Sequence, residues 1–162
     1  MTSNDSASLT ITPPVVLPTV TIAATDGSAA ESPLDTGTFT ITRTGPTTAS
    51  LIVTVAYGGS AANGTDYQSL ATSVTLAAGQ AATTLTVTPI DDAFVEGGET
   101  VVATLQSDAA YTLGTGSSAT VTIADDDLRP SVTVTAEDAD AGEAGPNIGV
   151  FRITRSGGGG SN

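Results

Sequence analysis

Thr38-Phe39-Thr40-Ile41-Thr42-Arg43-Thr44 alternates without a break. Every second residue is a threonine, and Phe39, Ile41 and Arg43 fall between them on the opposite face. A period of two is the mark of a β-strand with one buried and one solvated face. The stretch returns as Val150-Phe151-Arg152-Ile153-Thr154-Arg155-Ser156. Both copies sit inside a longer match: Pro18 to Gly45 aligns with Pro130 to Gly157 at a constant offset of 112, without a gap. Val20, Asp26, Glu31, Gly37, Phe39, Ile41, Arg43 and Gly45 correspond to Val132, Asp138, Glu143, Gly149, Phe151, Ile153, Arg155 and Gly157. Ser8-Leu9-Thr10-Ile11-Thr12 matches Thr120-Val121-Thr122-Ile123-Ala124 in the same way. Self-similarity at a fixed spacing marks a tandem array. The expected organisation is a tail over 1–17 with the last strand of a preceding module, a complete module over 18–127, and a linker with the truncated start of the next module over 128–162.

Working outward from 38–44, the same period recurs along the complete module. Residues 19–24 place Val20 and Ile22 on one face. Residues 51–57 align Leu51, Val53, Val55 and Tyr57. Residues 73–77 offer Val74 and Leu76, residues 82–90 offer Leu85 and Val87, residues 100–106 offer Val101, Ala103 and Leu105, and residues 119–124 offer Val121 and Ile123. Turn formers punctuate between them, as at Gly45-Pro46, Asn63-Gly64, Ala78-Gly79 and Gly114-Thr115-Gly116. Seven short strands of this kind predict an all-β, immunoglobulin-like antiparallel β-sandwich, repeated in tandem. Phe39, Ile41 and Tyr57 are expected in its core. Arg43 and Arg155 recur at one strand position. Two roles are open for them: pairing with a carboxylate, or covering apolar surface with the side-chain stem. Leu128-Arg129-Pro130 is a short junction that proline stiffens.

Composition narrows the function classes. The chain has 162 residues and a net charge of −13, with four basic residues. All four are arginine. Such a chain is not expected to bind nucleic-acid phosphates or to be drawn to an anionic membrane surface. Cysteine and histidine are both absent. That removes disulfides, thiolate metal sites, the commonest general base and the commonest transition-metal ligand. No run approaches the ~20 apolar residues of a membrane span. The first residues lack the pattern of a signal peptide, so the expected surface or extracellular location needs a signal outside this chain.

The acids are not spread evenly. Asp91-Asp92-Ala93-Phe94-Val95-Glu96-Gly97-Gly98-Glu99 and Asp125-Asp126-Asp127 hold seven of the seventeen acidic residues. Two like charges about 4 Å apart repel by roughly 4 kcal/mol at an effective dielectric of ~20. Alternate connections of a sandwich lie at one end, which brings the 91–99 loop towards the exit of the last strand. Glu31 and Asp66 reach the same end. Nine carboxylates there make an all-oxygen pocket suited to a hard cation. Ca²⁺ accepts six to eight oxygens at irregular geometry, whereas Mg²⁺ demands a tight octahedron. The count exceeds the needs of one ion, so more than one is expected.

These residues resemble the Calx-beta domain family of sodium–calcium exchangers and many bacterial surface proteins. The resemblance covers 18–127 and restarts at 130. It rests on Glu31, Phe39-Thr40-Ile41-Thr42-Arg43, Val55-Ala56-Tyr57, Gly64-Thr65-Asp66-Tyr67, Ala78-Gly79-Gln80, Ile90-Asp91-Asp92 with Glu96 and Glu99, and Val121 to Asp127. It implies calcium ligands at Glu31, Asp66, Asp91, Asp92, Glu96, Glu99, Asp125, Asp126 and Asp127, with the Phe94 carbonyl as a backbone ligand. It also implies a part in cell communication, adhesion or calcium regulation at a membrane, beside neighbouring modules of the same kind. Ala93 departs from the family, which often has a third acid there. Thr12-Pro13-Pro14-Val15 stands where this module has Ala124 to Asp127, so the preceding module's site is degraded.

Blander readings compete. Asp-rich turns often do no more than end strands and keep edges soluble, and the module then serves as a metal-indifferent spacer or adhesion stalk. Asp138-Ala139-Asp140-Ala141-Gly142 is a polar loop without the rest of an EF-hand. The run from Gly157 to Gly160 lacks phosphate-loop spacing. Paired carboxylates hydrolyse glycosides in other proteins, but these are crowded and no nucleophile–base pair is available, so no catalysis is expected.

Overall fold

The computed structural model describes residues 14–145 and 147–158. The strand expected at 8–12 and the glycine run beyond 158 lie outside the described residues. The alternating stretch 38–44 forms β3 (Gly37–Thr44), with Phe39 and Ile41 fully buried and the threonines turned outward. β1 (Thr19–Asp26) pairs with it antiparallel, Ile22 opposite Ile41, and a bulge follows Ala24. β6 (Ala82–Val87) flanks β3 on the other side, and β8 (Thr112–Leu113) flanks β1. These four strands make one sheet, in the order β6-β3-β1-β8. The facing sheet is β2 (Ser28–Ala30), β9 (Ser118–Ala124), β7 (Glu99–Leu105), β4 (Leu51–Gly59) and β5 (Ser73–Leu76), in the order β2-β9-β7-β4-β5. The apolar faces meet in one core, in which Val20, Phe39, Ile41, Val53, Val87, Val101, Ala103 and Val121 are wholly shielded from water. The result is an immunoglobulin-like β-sandwich.

Two features depart from the reading of the sequence. The first and last strands each switch sheets part-way. β1 lies in one sheet and β2 in the other; β8 and β9 do the same. The pairings at one edge of each sheet, β1 with β8 and β2 with β9, are therefore parallel, whereas the other strand pairings are antiparallel. Gly114 sits at one of these crossings, where a Cβ would meet Thr21 Cγ2 at 2.5 Å. The stretch 82–90 also leaves the sheet early: the strand ends at Val87, and Pro89 bridges to Tyr67 instead.

Tyr57 is half-buried against the core, and its hydroxyl donates to the Ala71 carbonyl at 2.9 Å. Tyr111 is buried, and its hydroxyl donates to the Gln106 carbonyl at 2.6 Å. That contact resembles the tyrosine corner that ties strands in such sandwiches.

Beyond the junction, β10 (Ser131–Asp138) and β11 (Val150–Ser156) form a hairpin. It repeats the β1/β3 pair residue for residue: Ser131 pairs with Ser156 as Thr19 does with Thr44, and the bulge after Ala136 repeats the one after Ala24. Gly142 bridges Asn147 as Ala30 bridges Asp35. The offset read from sequence is thus a structural repeat.

Candidate metal centre

Four connections converge at one end of the sandwich: the segment after β2, the β4–β5 loop, the β6–β7 loop and the exit of β9. Glu31 comes first because pairing places it. Ala30 is in register with Ala124, and the Glu31 N–H donates to the Ala124 carbonyl at 3.1 Å. Glu31 is 5% exposed, an unusual depth for a carboxylate with no basic partner.

Carboxylate oxygens gather around it in sets. One oxygen each of Glu31, Asp91 and Asp126 lies within 4.8 Å of the others. The same holds for Glu31, Asp92 and Asp127, and for Asp66, Glu96 and Glu99. Two of the three sets share Glu31. Asp66 is positioned by its own loop. Its carboxylate accepts from the Ala62 N–H at 2.6 Å, and its carbonyl accepts from the Ile90 N–H at 3.0 Å. Tyr67, 1% exposed, anchors that loop in the core. Sequence reading had not singled Tyr67 out as an anchor; an aromatic beside Asn63-Gly64 was the available signal.

Asp125 stands apart and belongs to none of the three sets. Its carboxylate accepts from the backbone N–H groups of Glu96 at 2.8 Å and Gly97 at 2.7 Å, and from Asp127 at 2.8 Å. It clasps the β6–β7 loop to the exit of β9. Asp92 makes a smaller turn of the same kind, accepting from the Phe94 N–H at 2.7 Å. The Phe94 ring is exposed.

Ionisation follows the geometry. Burial, then the charges of Asp125, Asp92, Glu96 and Asp126, push the Glu31 carboxyl up to about 7. Burial first, then neighbouring carboxylates, also raise Glu96, Glu99 and Asp127. Asp125 moves the other way, because the N–H of Gly97, then those of Asp127 and Glu96, stabilise its charge. Among the described residues no arginine pairs with any of these acids; the one ion pair joins Arg152 to Glu137. Glu99 Oε2 and Asp127 Oδ2 are buried and have no hydrogen-bond partner among the described residues. Unpaired buried oxygens cost free energy, and a cation between the loops is what such a donor set fits.

Arg43 is at the other end. It is 3% exposed, and among the described residues it pairs with no carboxylate. Its guanidinium donates to the carbonyls of Gln80, Ala49 and Ala77.

Fold and site together define an immunoglobulin-like β-sandwich module with an anionic loop end. The family model for the Calx-beta domain matches residues 18–127, and the chain belongs to that family. Solved structures agree on the fold. A crystal structure of an apo-form Calx CBD1 domain is 20% identical with a TM-score of 0.57, and the match covers 69% of this chain and all of that one. CBD12 from CALX1.2 is 16% identical with a TM-score of 0.55, covering 85% of this chain and 70% of that one. The calcium binding domain CBD12 of CALX1.1 is 17% identical with a TM-score of 0.53, covering 86% and 71%. No curated protein matches the chain.

Proposed function

We propose that residues 18–127 form a calcium-binding Calx-beta module in which calcium joins the four loops at one end and stiffens them. The observation that carries this reading is a pair of buried oxygens, Glu99 Oε2 and Asp127 Oδ2, that among the described residues have no hydrogen-bond partner, inside a cluster that no described arginine pairs with. Glu31, shared by two oxygen sets, would bridge a pair of ions. Asp66, Glu96 and Glu99 would hold another, and Asp91, Asp92, Asp126 and Asp127 complete the pair. Asp125 contributes through its clasp, and the Phe94 carbonyl follows the family pattern as a backbone ligand. Oxygen-only donors on loops favour calcium over magnesium. The role is binding and mechanical, not catalytic. It suits a surface or extracellular protein in communication, adhesion or calcium regulation, with like modules as immediate partners. Ligand that binds only the native state stabilises by RT ln(1 + [L]/Kd), about 2.7 kcal/mol at a hundredfold excess over Kd. Thermal melting after EDTA treatment tests this: millimolar calcium should raise the midpoint by several degrees, and an unchanged midpoint refutes it.

The residue-for-residue repetition of β1/β3 in β10/β11 favours a second reading, a spacer whose length comes from repeats. Small-angle scattering with and without calcium separates the two. A shape indifferent to calcium favours the plain spacer.

A further inference from the structure

Asp66 reaches the acidic end on a tight loop, and that loop carries the dipeptide Asn63-Gly64. Both residues are exposed, so water has access to them. Glycine is needed at 64: its φ is +85°, and a Cβ there would stand 2.8 Å from Ser69 Oγ. Asparagine has a task at 63, where its side-chain carbonyl accepts from the Leu70 N–H at 3.2 Å. Together they make an amide sequence prone to cyclise, because no side chain on residue 64 shields its backbone nitrogen from the Asn63 carboxamide.

The reaction needs only water. The Gly64 nitrogen gives up its proton and attacks Asn63 Cγ, closing a succinimide ring. The side-chain nitrogen leaves as ammonia and carries that proton away. Water then opens the ring. Cleavage at Cγ gives aspartate, and cleavage at the Asn63 backbone carbonyl gives isoaspartate. One water is consumed, one ammonia is released, and nothing is oxidised or reduced.

The closed loop opposes each step. The Gly64 N–H donates to the Tyr67 carbonyl at 2.9 Å, which holds the proton that must leave. Leu70 restrains the carboxamide that must swing onto the nitrogen. The N–H groups of Thr65 and Asp66 both donate to the Ala62 carbonyl at 3.1 Å, and the Asp66 carboxylate accepts from the Ala62 N–H at 2.6 Å. Reaction therefore waits on local opening. The metal centre sets how often that happens. Asp66 shares an oxygen set with Glu96 and Glu99, and Glu99 Oε2 is buried with no hydrogen-bond partner among the described residues. Without a cation, repulsion among these acids pushes the loop outward.

We propose that Asn63-Gly64 is a self-modification site gated by the metal end: water converts Asn63 to aspartate or isoaspartate when the Asp66 loop opens, and calcium on that loop protects it. The inference rests on the calcium reading above. Isoaspartate lengthens the main chain between residues 63 and 64, which breaks the Asn63–Tyr67 bridge and carries Asp66 away from Glu96 and Glu99. A module left without calcium thus loses a ligand position irreversibly, whereas a loaded module keeps it.

The test incubates the full chain at mildly alkaline pH in EDTA, in excess calcium, and in urea with EDTA. Peptide mapping by mass spectrometry follows Asn63, and enzymatic methylation of isoaspartate identifies the product. Asn147 is the internal control, because the β-branched Ile148 shields the nitrogen that follows it. Melting curves with and without calcium run in parallel. Asn63 should react fastest in urea, more slowly in EDTA and slowest in calcium, while Asn147 stays an amide. Opening that requires release of the ion is suppressed by the factor 1 + [L]/Kd, so a hundredfold excess over Kd should slow Asn63 about a hundredfold. Asp66→Asn keeps an acceptor for the Ala62 N–H but removes the charge, and should lose at least about tenfold of that protection. An Asn63 rate unchanged by calcium overturns the gate; if calcium still raises the melting midpoint, the calcium reading stands and only the gate has failed. A midpoint and a rate both indifferent to calcium remove both. Asn63 that stays intact in EDTA while it reacts in urea also overturns the proposal, since the loop then stays shut unaided.

Discussion

Glu31 is held where a carboxylate ionises with difficulty, and stability should report it. Its pKa is raised from 4.5 to about 7 in the folded chain. Between those values the native state binds more protons than the unfolded one, so stability falls as pH rises through the window. Glu96 and Glu99 act in the same direction. Asp125 acts oppositely, but its lowered pKa confines that effect to pH below 3.8. The metal-free chain should therefore melt higher at pH 5 than at pH 7.5, and calcium at pH 7.5 should reverse the order. A melting curve at each pH checks both signs. The neighbouring aspartates separate clasp from ligand. Asp126 makes no hydrogen bond among the described residues, whereas Asp125 accepts three from backbone N–H groups. In EDTA, Asp126→Ala should raise the melting temperature by relieving repulsion, and Asp125→Ala should lower it by releasing the loop. Nothing in the run Asp125-Asp126-Asp127 tells these roles apart, because they depend on which backbone N–H groups the β6–β7 loop turns towards β9.

At the scale of elements, the long strands were legible because one physical rule governs them. Val20, Phe39, Ile41 and Val121 alternate with threonines, and all are buried. β2 and β8 were not legible. Three residues and two residues carry no periodicity, and they exist only because the first and last strands change sheets. Arg43 read as a carboxylate partner or as a stem over apolar surface; the carbonyls that hold its buried charge were not legible, because they come from three separate positions, Ala49, Ala77 and Gln80. Gly59 closes β4 with φ of +111°, and a Cβ there would stand 2.0 Å from the Thr100 carbonyl oxygen. Gly59→Ala should cost about 1–3 kcal/mol or more through backbone strain and displacement of β7. Tyr111→Phe leaves the Gln106 carbonyl without its donor and should cost about 1–2 kcal/mol. Chemical denaturation of each variant measures these losses, and an unchanged midpoint for Gly59→Ala would contradict the described register.

At the scale of the whole molecule, the module is a rigid sandwich with two unlike ends. One end concentrates nine carboxylates; the other buries a single arginine. The sequence already showed that the acids could meet, through the constraint that alternate loops share an end. It did not show that Glu31 lies between two sets of oxygens, because that follows from the parallel pairing of β2 with β9. Glu31 therefore offers the most direct test. Calorimetric titration of calcium into the EDTA-treated full chain at pH 7.5 should give saturable heat with more than one ion per chain. Glu31→Gln, which keeps shape but removes the shared charge, should weaken binding by at least about tenfold, since charge count at the ligands tunes calcium affinity. No heat beyond dilution at millimolar calcium, or a Glu31→Gln titration that overlays the parent, would contradict the account.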